Sequence, residues 1–163
     1  MRGKQAPKRK IDPDPKYQSV VIARFINQIM ERGKKTTAQR VVYGSFDEIS
    51  KKEKKDPLEV FDIAIKNVSP EVEVKSRRIG GGNYQIPMPV AGDRKLALAF
   101  RWIIAAAKAR RGVPMKEKLA MELVDASNST GAAMKKKEDV FRMAEANRAF
   151  AHFARFSKKG KKK

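Results

Sequence analysis

The side chains of this sequence that could act on another molecule are almost all cations. Lysine and arginine number 38 against 18 acids, a formal charge of +20, while cysteine is absent and histidine occurs once, as His152. Without thiols there is no disulfide framework, no thiolate nucleophile and no Cys-ligated zinc, and one imidazole cannot make a histidine cluster. His152 lies between Ala151 and Phe153, with no adjacent acid to orient it as a base. Gly33-Lys34-Lys35-Thr36 superficially resembles a phosphate loop, yet the upstream glycine and the preceding strand are missing. Gly80, Gly81 and Gly82 lack the spacing and the following helix of a dinucleotide fingerprint. Glu71 and Glu73 could share a strand face, but no nucleophile or metal ligand stands beside them. These absences argue against an enzyme, a cofactor or a small-molecule substrate. The chemistry that remains is neutralisation of phosphates, which releases condensed counterions.

The cations are unevenly placed. Residues 1–10 carry Arg2, Lys4, Lys8, Arg9 and Lys10 and no acid, and residues 157–163 read Ser-Lys-Lys-Gly-Lys-Lys-Lys, also without an acid. The residues between these ends are basic too, and such an excess points to a polyanion, nucleic acid before an anionic membrane surface. No run approaches the roughly 18 apolar residues of a membrane span. No apolar stretch follows the N-terminal charges, and residues 1–16 are rich in Lys and Pro, unlike a transit peptide. The expectation is a cytoplasmic protein with no membrane partner. It has a basic N-terminal extension at 1–16, a single helical domain at 17–156 and a Lys-rich tail at 157–163, and its 41% apolar residues suffice for a core.

Helices must position these charges. Ser19 can cap a first helix with Val21, Ile22, Phe25, Ile26 and Ile29 in helical spacing, ending before Gly33. Thr36 or Thr37 opens a second, with Val41, Val42, Phe46 and Ile49, fading through Lys51 to Lys55. Asp56-Pro57 is a cap with proline at the first helical position, and the third helix runs through Leu58, Phe61, Ile65 and Val68 until Ser69-Pro70. Helices four, five and six are predicted at 93–111, 114–128 and about 132–150.

Between helices three and four, over 71–91, the period changes from 3.6 to 2. Val72, Val74 and Ser76 alternate with Glu73, Lys75 and Arg77, and after the glycines Tyr84, Ile86, Met88 and Val90 resume the pattern. Pro87 and Pro89 share one parity, so both missing N–H groups fall on one edge and the hairpin stays two-stranded. About eight residues at roughly 3.3 Å each make an arm ~26 Å long, too long to lie wholly on a small helical body. Its valine and methionine end should pack on helices and its tip should stay mobile. The tip carries Lys75, Arg77, Arg78, Asn83 and Tyr84 around Gly80, Gly81 and Gly82, types suited to phosphate forks and base stacking.

In helix four, Arg94, Arg101 and Lys108 are seven apart, so at about 100° per residue each is offset only ~20° from the last. They form an outward stripe beside Lys95, Arg110 and Arg111, opposite an apolar stripe of Leu96, Phe100, Ile103 and Ala107. Trp102 should pack against a second element. Helix six opens with Lys135-Lys136-Lys137, unfavourable at the positive end of a helix dipole unless an anion is near. Helix three, with Asp56, Glu59 and Asp62 against Lys66, should face away from the polyanion.

Asp12 to Lys16, Gly33-Lys34-Lys35, Val72 to Arg78 with Gly80-Gly81, Tyr84 to Pro87, Ala99 to Ile103 and Met143 to Phe153 follow in an order and spacing that resemble bacterial small-subunit ribosomal protein seven, from about residue 8 to 156. The resemblance implies a mainly α fold, a six-helix bundle with a protruding two-stranded β-hairpin between helices three and four and basic disordered tails. It implies a non-enzymatic primary binder of small-subunit ribosomal RNA that docks on the 3′ major domain and nucleates head assembly, near the exit-site tRNA and the mRNA exit channel. The ninth and eleventh small-subunit proteins would be neighbours. By the same resemblance, Lys8, Arg9, Lys10, Gly33, Lys34, Lys35, Lys75, Arg77, Arg78, the helix-four bases, Lys135, Lys136, Lys137 and Arg142 would contact ribosomal RNA. Gly80, Gly81, Gly82, Asn83 and Tyr84 would approach the tRNA and mRNA, and Asn147, Arg148 and His152 would meet the eleventh protein or RNA. Gly82-Asn83 departs from the small hydroxyl residues familiar there, and the lysine tail is short.

A helical body with a basic arm also suits a rival, a DNA-binding architectural protein. Such arms carry an apolar wedge or proline at the tip, whereas here the prolines sit down the strand.

Overall fold

A computed structural model describes residues 9–157, and Lys8 and the tail at 158–163 lie outside the described residues. The order is α1 (Val20–Ile29), α2 (Lys35–Glu53), α3 (Pro57–Val68), β1 (Val72–Ile79), β2 (Gly82–Pro89), α4 (Gly92–Ala109), α5 (Met115–Ser127) and α6 (Gly131–Ala146), then a 3₁₀ helix, Arg148–Ser157. The chain is mainly helical with one antiparallel hairpin between α3 and α4.

Local chemistry accounts for the helix starts. The Ser19 hydroxyl accepts from the Ile22 N–H, and the Asp56 carboxylate accepts from the Leu58 N–H at 3.0 Å with Pro57 at the first position. α2 ends at Lys54 in the left-handed region, φ 53°. α5 lies at the centre, packed on α2, α3, α4 and α6, with Leu119 and Leu123 fully buried. Aromatic rings run through the core from Tyr17 to Phe46, Phe61, Phe25 and Phe100, with centroids 5.3, 5.5, 5.2 and 5.1 Å apart in turn. Phe100, Ile103 and Ala107 are buried as the stripe on α4 predicted, and Trp102 packs partly buried against the same core.

One expectation needs correction. Helix six stops at Ala146 instead of continuing to Phe150. The Asn147 side chain donates to the Met143 carbonyl at 2.7 Å, occupying an acceptor of the last turn, and the chain tightens into the 3₁₀ helix. The strands of the arm pack on α6 and the 3₁₀ helix, while its Gly80-Gly81 turn is exposed. Ile86 is fully buried, and the Tyr84 ring packs 5.0 Å from Phe150 and 6.3 Å from Phe153. The two-residue turn is Gly80-Gly81, with φ of 55° and 89°, the paired left-handed geometry that glycine supplies; Gly82 and Asn83 belong to β2. Pro87 and Pro89 pair with Val74 and Val72, positions whose N–H groups point away from the partner strand.

Candidate nucleic-acid interface

The α4 ridge has two tied ends and a free middle. At its start Arg94 Nε donates to Glu73 Oε2 at 3.1 Å, and Lys75 Nζ lies 2.9 Å from Glu73 Oε1. Glu73 is buried, which pushes its carboxyl up, but hydrogen bonds from Lys75 and Arg94 and their charges outweigh this and hold it below the usual range. The hairpin is thereby stapled to α4 through a carboxylate shared by two expected RNA contacts. At the other end Lys108 pairs with Glu31 in the α1–α2 connection, and that pairing holds the Glu31 carboxyl below its usual range. Arg101, between them, is exposed and has no side-chain partner among the described residues.

Beside Lys108 lies a depression of 430 Å³ lined by Ile29, Glu31, Arg32, Lys34, Thr37 and Met115. Arg32 and Gly33 take left-handed backbone, φ 53° and 74°, which turns the chain so that Arg32, Lys34 and Lys35 are all exposed. Three cations, Arg32, Lys34 and Lys108, around one carboxylate make a surface suited to a phosphate. Arg32 was not among the residues singled out from sequence, although its place in the run Arg-Gly-Lys-Lys could have marked it.

Other expected contacts are spent inside the molecule. Arg110 donates through Nε and Nη2 to Glu122 Oε2, at 2.9 and 2.6 Å, and also binds Asp125. Lys137 donates to the Asn67 carbonyl, and Asn67 Nδ2 in turn donates to the Ala126 and Ser127 carbonyls, both at 3.0 Å. The lysines of α6 lie past its first turn, and the helix start is capped by Glu122, whose Oε1 accepts from the Ala133 N–H at 2.9 Å. That carboxylate supplies the anion for which the sequence suggested an outside partner. Lys135 and Lys136 remain exposed, as do Arg9, Lys10, Arg78 and Arg111, while Lys95 is half-buried. Arg142 is exposed and lies 3.9 Å from Asp139.

The Tyr84 ring is half-buried, tilted against Phe150 and Phe153 of the 3₁₀ helix. Added bulk at Gly82 would meet the Tyr84 ring at 3.0 Å, which explains glycine there. Gly80, Gly81 and Asn83 are exposed at or beside the turn, and Arg148 and His152 are exposed on the 3₁₀ helix. His152 Nδ1 lies 2.8 Å from the Ala149 carbonyl. On α3, Glu59 and Asp62 are exposed.

The model of the family described as ribosomal protein S7p/S5e matches residues 1–148. The chain belongs to the ribosomal protein S7p/S5e family. Proteins named small ribosomal subunit protein uS7 are 58% identical in Thermotoga petrophila, over 94% of this chain and 99% of that protein, and 53% identical in Anaeromyxobacter, over 93% and 97%. One from Chloroflexus aggregans is 55% identical over 91% and 94%. S7p/S5e membership makes this a ribosomal protein and not an enzyme. Among the described residues no helix is long and apolar enough to cross a membrane.

Proposed function

We propose that the protein is a structural constituent of the small ribosomal subunit whose α4 ridge and α1–α2 turn bind the 3′ major domain of its RNA and nucleate the head. The observation that carries this reading is the near full-length similarity to small ribosomal subunit proteins. The free Arg101 between tied neighbours supports it, because an exposed guanidinium in mid-helix gains nothing from dipole or pairing within the chain. In this reading Arg32, Lys34, Lys35, Lys135 and Lys136 add phosphate contacts. The Gly80-Gly81 turn, with Arg78 and Asn83, stands nearest the exit-site tRNA and mRNA, and Asn147, Arg148 and His152 face the eleventh small-subunit protein or RNA.

Competition at physiological salt between an RNA fragment of the 3′ major domain and duplex DNA of equal length tests the proposal. Preference for the RNA is expected, and equal affinity would return the case to a DNA-binding architectural protein.

A further inference from the structure

Between α1 and α4 lies a hollow of 250 Å³ that the core does not fill. On α1 it is lined by Arg24, Asn27 and Gln28, whose spacing of three and four puts them on one face, while Ile22, Phe25, Ile26 and Ile29 are buried on another. On α4, Leu96, Ala97 and Phe100 recur in the same way. Phe100 is buried and Leu96 and Ala97 are half-buried, so the floor is apolar.

The rim is polar. Arg24 Nη1 donates from α1 to Asp93 Oδ1 on α4 at 3.3 Å, which steadies a guanidinium that stays partly exposed. A paired guanidinium still offers its flat face for stacking. Asn27 is half-buried and Gln28 exposed, and neither has a side-chain hydrogen bond among the described residues. Asparagine is a poor helix former, so an unpartnered one inside α1 gains nothing within the chain. Each amide carries a donor beside an acceptor, the pairing that a base presents at its own edge. Arg94 and Lys95 follow Asp93 directly, so the hollow is continuous with the start of the α4 ridge and its positive charge.

We propose that this hollow takes a single unstacked base of the RNA that the α4 ridge binds. The base stacks on the Arg24 guanidinium and the floor of Leu96 and Phe100, and Asn27 and Gln28 read its edge, the way unpaired RNA bases are recognised. This rests on the RNA-binding reading above and adds a source of sequence preference, which phosphate contacts alone do not supply.

The test is a double-mutant cycle between protein and RNA, run with the full chain and the 3′ major domain fragment. On the RNA side each unpaired nucleotide in turn is made abasic, which removes the base and keeps the phosphates. On the protein side Asn27→Ala is combined with Gln28→Ala, and Ala97→Leu separately fills the hollow. Each protein variant should weaken binding by roughly five- to tenfold with the salt slope unchanged, because no phosphate contact is lost. The melting temperature of the alanine variant should hold, since alanine is the better helix former. One abasic position should cost the unaltered chain at least about fivefold, the scale of a lost stack, and either variant less than about twofold. A salt slope lowered by about 1 in the alanine variant would make the amides phosphate contacts and overturn the inference. A fall in melting temperature with affinity unchanged would overturn it too. So would losses that simply add at every abasic position, which would leave the hollow to a protein side chain or to solvent. If Ala97→Leu fails to fold, the alanine variant gives the same decision. Loss of preference for RNA over duplex DNA in the unaltered chain would overturn the reading beneath, whereas preference kept with no coupled position would overturn this proposal alone.

Discussion

Arg110 and Glu122 join three helices: the arginine just beyond α4 grips one oxygen of the fully buried α5 carboxylate, whose other oxygen caps α6. Each lone pair aimed inward has a donor, which is what makes a buried charge tolerable. Arg110→Ala would leave Glu122 uncompensated. Its cost should be roughly 3–5 kcal/mol of stability, read by urea unfolding, with less effect on RNA affinity. Retained stability together with a marked loss of RNA affinity would show that Arg110 serves the interface.

Gly131 is bound to the same arrangement. Its φ is 91°, and an added Cβ would lie 3.0 Å from Asp125 Cβ and 3.2 Å from Glu122 Oε1. Gly131→Ala should cost about 1–2 kcal/mol from backbone strain, more if the Glu122 cap is displaced. Thermal unfolding checks this, and a neutral substitution would mean that the α6 start can shift without loss.

The α4 ridge should respond unequally to truncation. Arg101→Ala should weaken RNA binding and lower the salt slope by about 1 without changing melting temperature. Glu31→Gln, by freeing Lys108 from its ion pair, should raise affinity about twofold, the scale of an exposed pair. A drop in melting temperature for Arg101→Ala with an unchanged salt slope would make the ridge an intramolecular feature.

Burial first, and then the hydrogen bond to Asp14, pushes the Tyr43 hydroxyl from 10.0 up to about 12. Its contribution is fully present below the unfolded value near 10 and is lost as pH rises through about 12, because the unfolded chain ionises first. Melting temperature should therefore fall more steeply over that window in the unaltered protein than in Tyr43→Phe. Parallel profiles would show that the hydroxyl does not titrate with unfolding.

The hairpin supplies a further check. Tyr84→Ala removes the ring that joins β2 to Phe150 and Phe153. Amide exchange in the 3₁₀ helix should accelerate while α1 to α5 stay protected. Unchanged exchange would mean that the 3₁₀ helix is held elsewhere.

Signals within a few residues made most of this fold legible. Ser19, Asp56-Pro57 and the equal parity of Pro87 and Pro89 each act locally, and each element they predicted is present. What stayed hidden lies far apart in the chain. Arg94 meets Glu73 across 21 residues and Lys108 meets Glu31 across 77, so a stripe read as wholly outward is pinned at both ends by distant carboxylates. The end of α6 escaped for a different reason. Asn147 caps the helix through its own side chain, while Arg148 to Phe153 retain enough apolar spacing to imitate a continuing helix. Asp14 was readable as part of a motif, but its burial depends on Tyr43, which sequence proximity does not reveal.

The most direct measurement is the identity of the RNA that accompanies the full-length protein when it is isolated from cells under gentle salt. Small-subunit ribosomal RNA is expected, with the protein sedimenting with small subunits and the RNA lost when Arg101, Lys34 and Lys35 are replaced by Ala. Recovery with DNA, or with no ribosomal RNA at all, would contradict it.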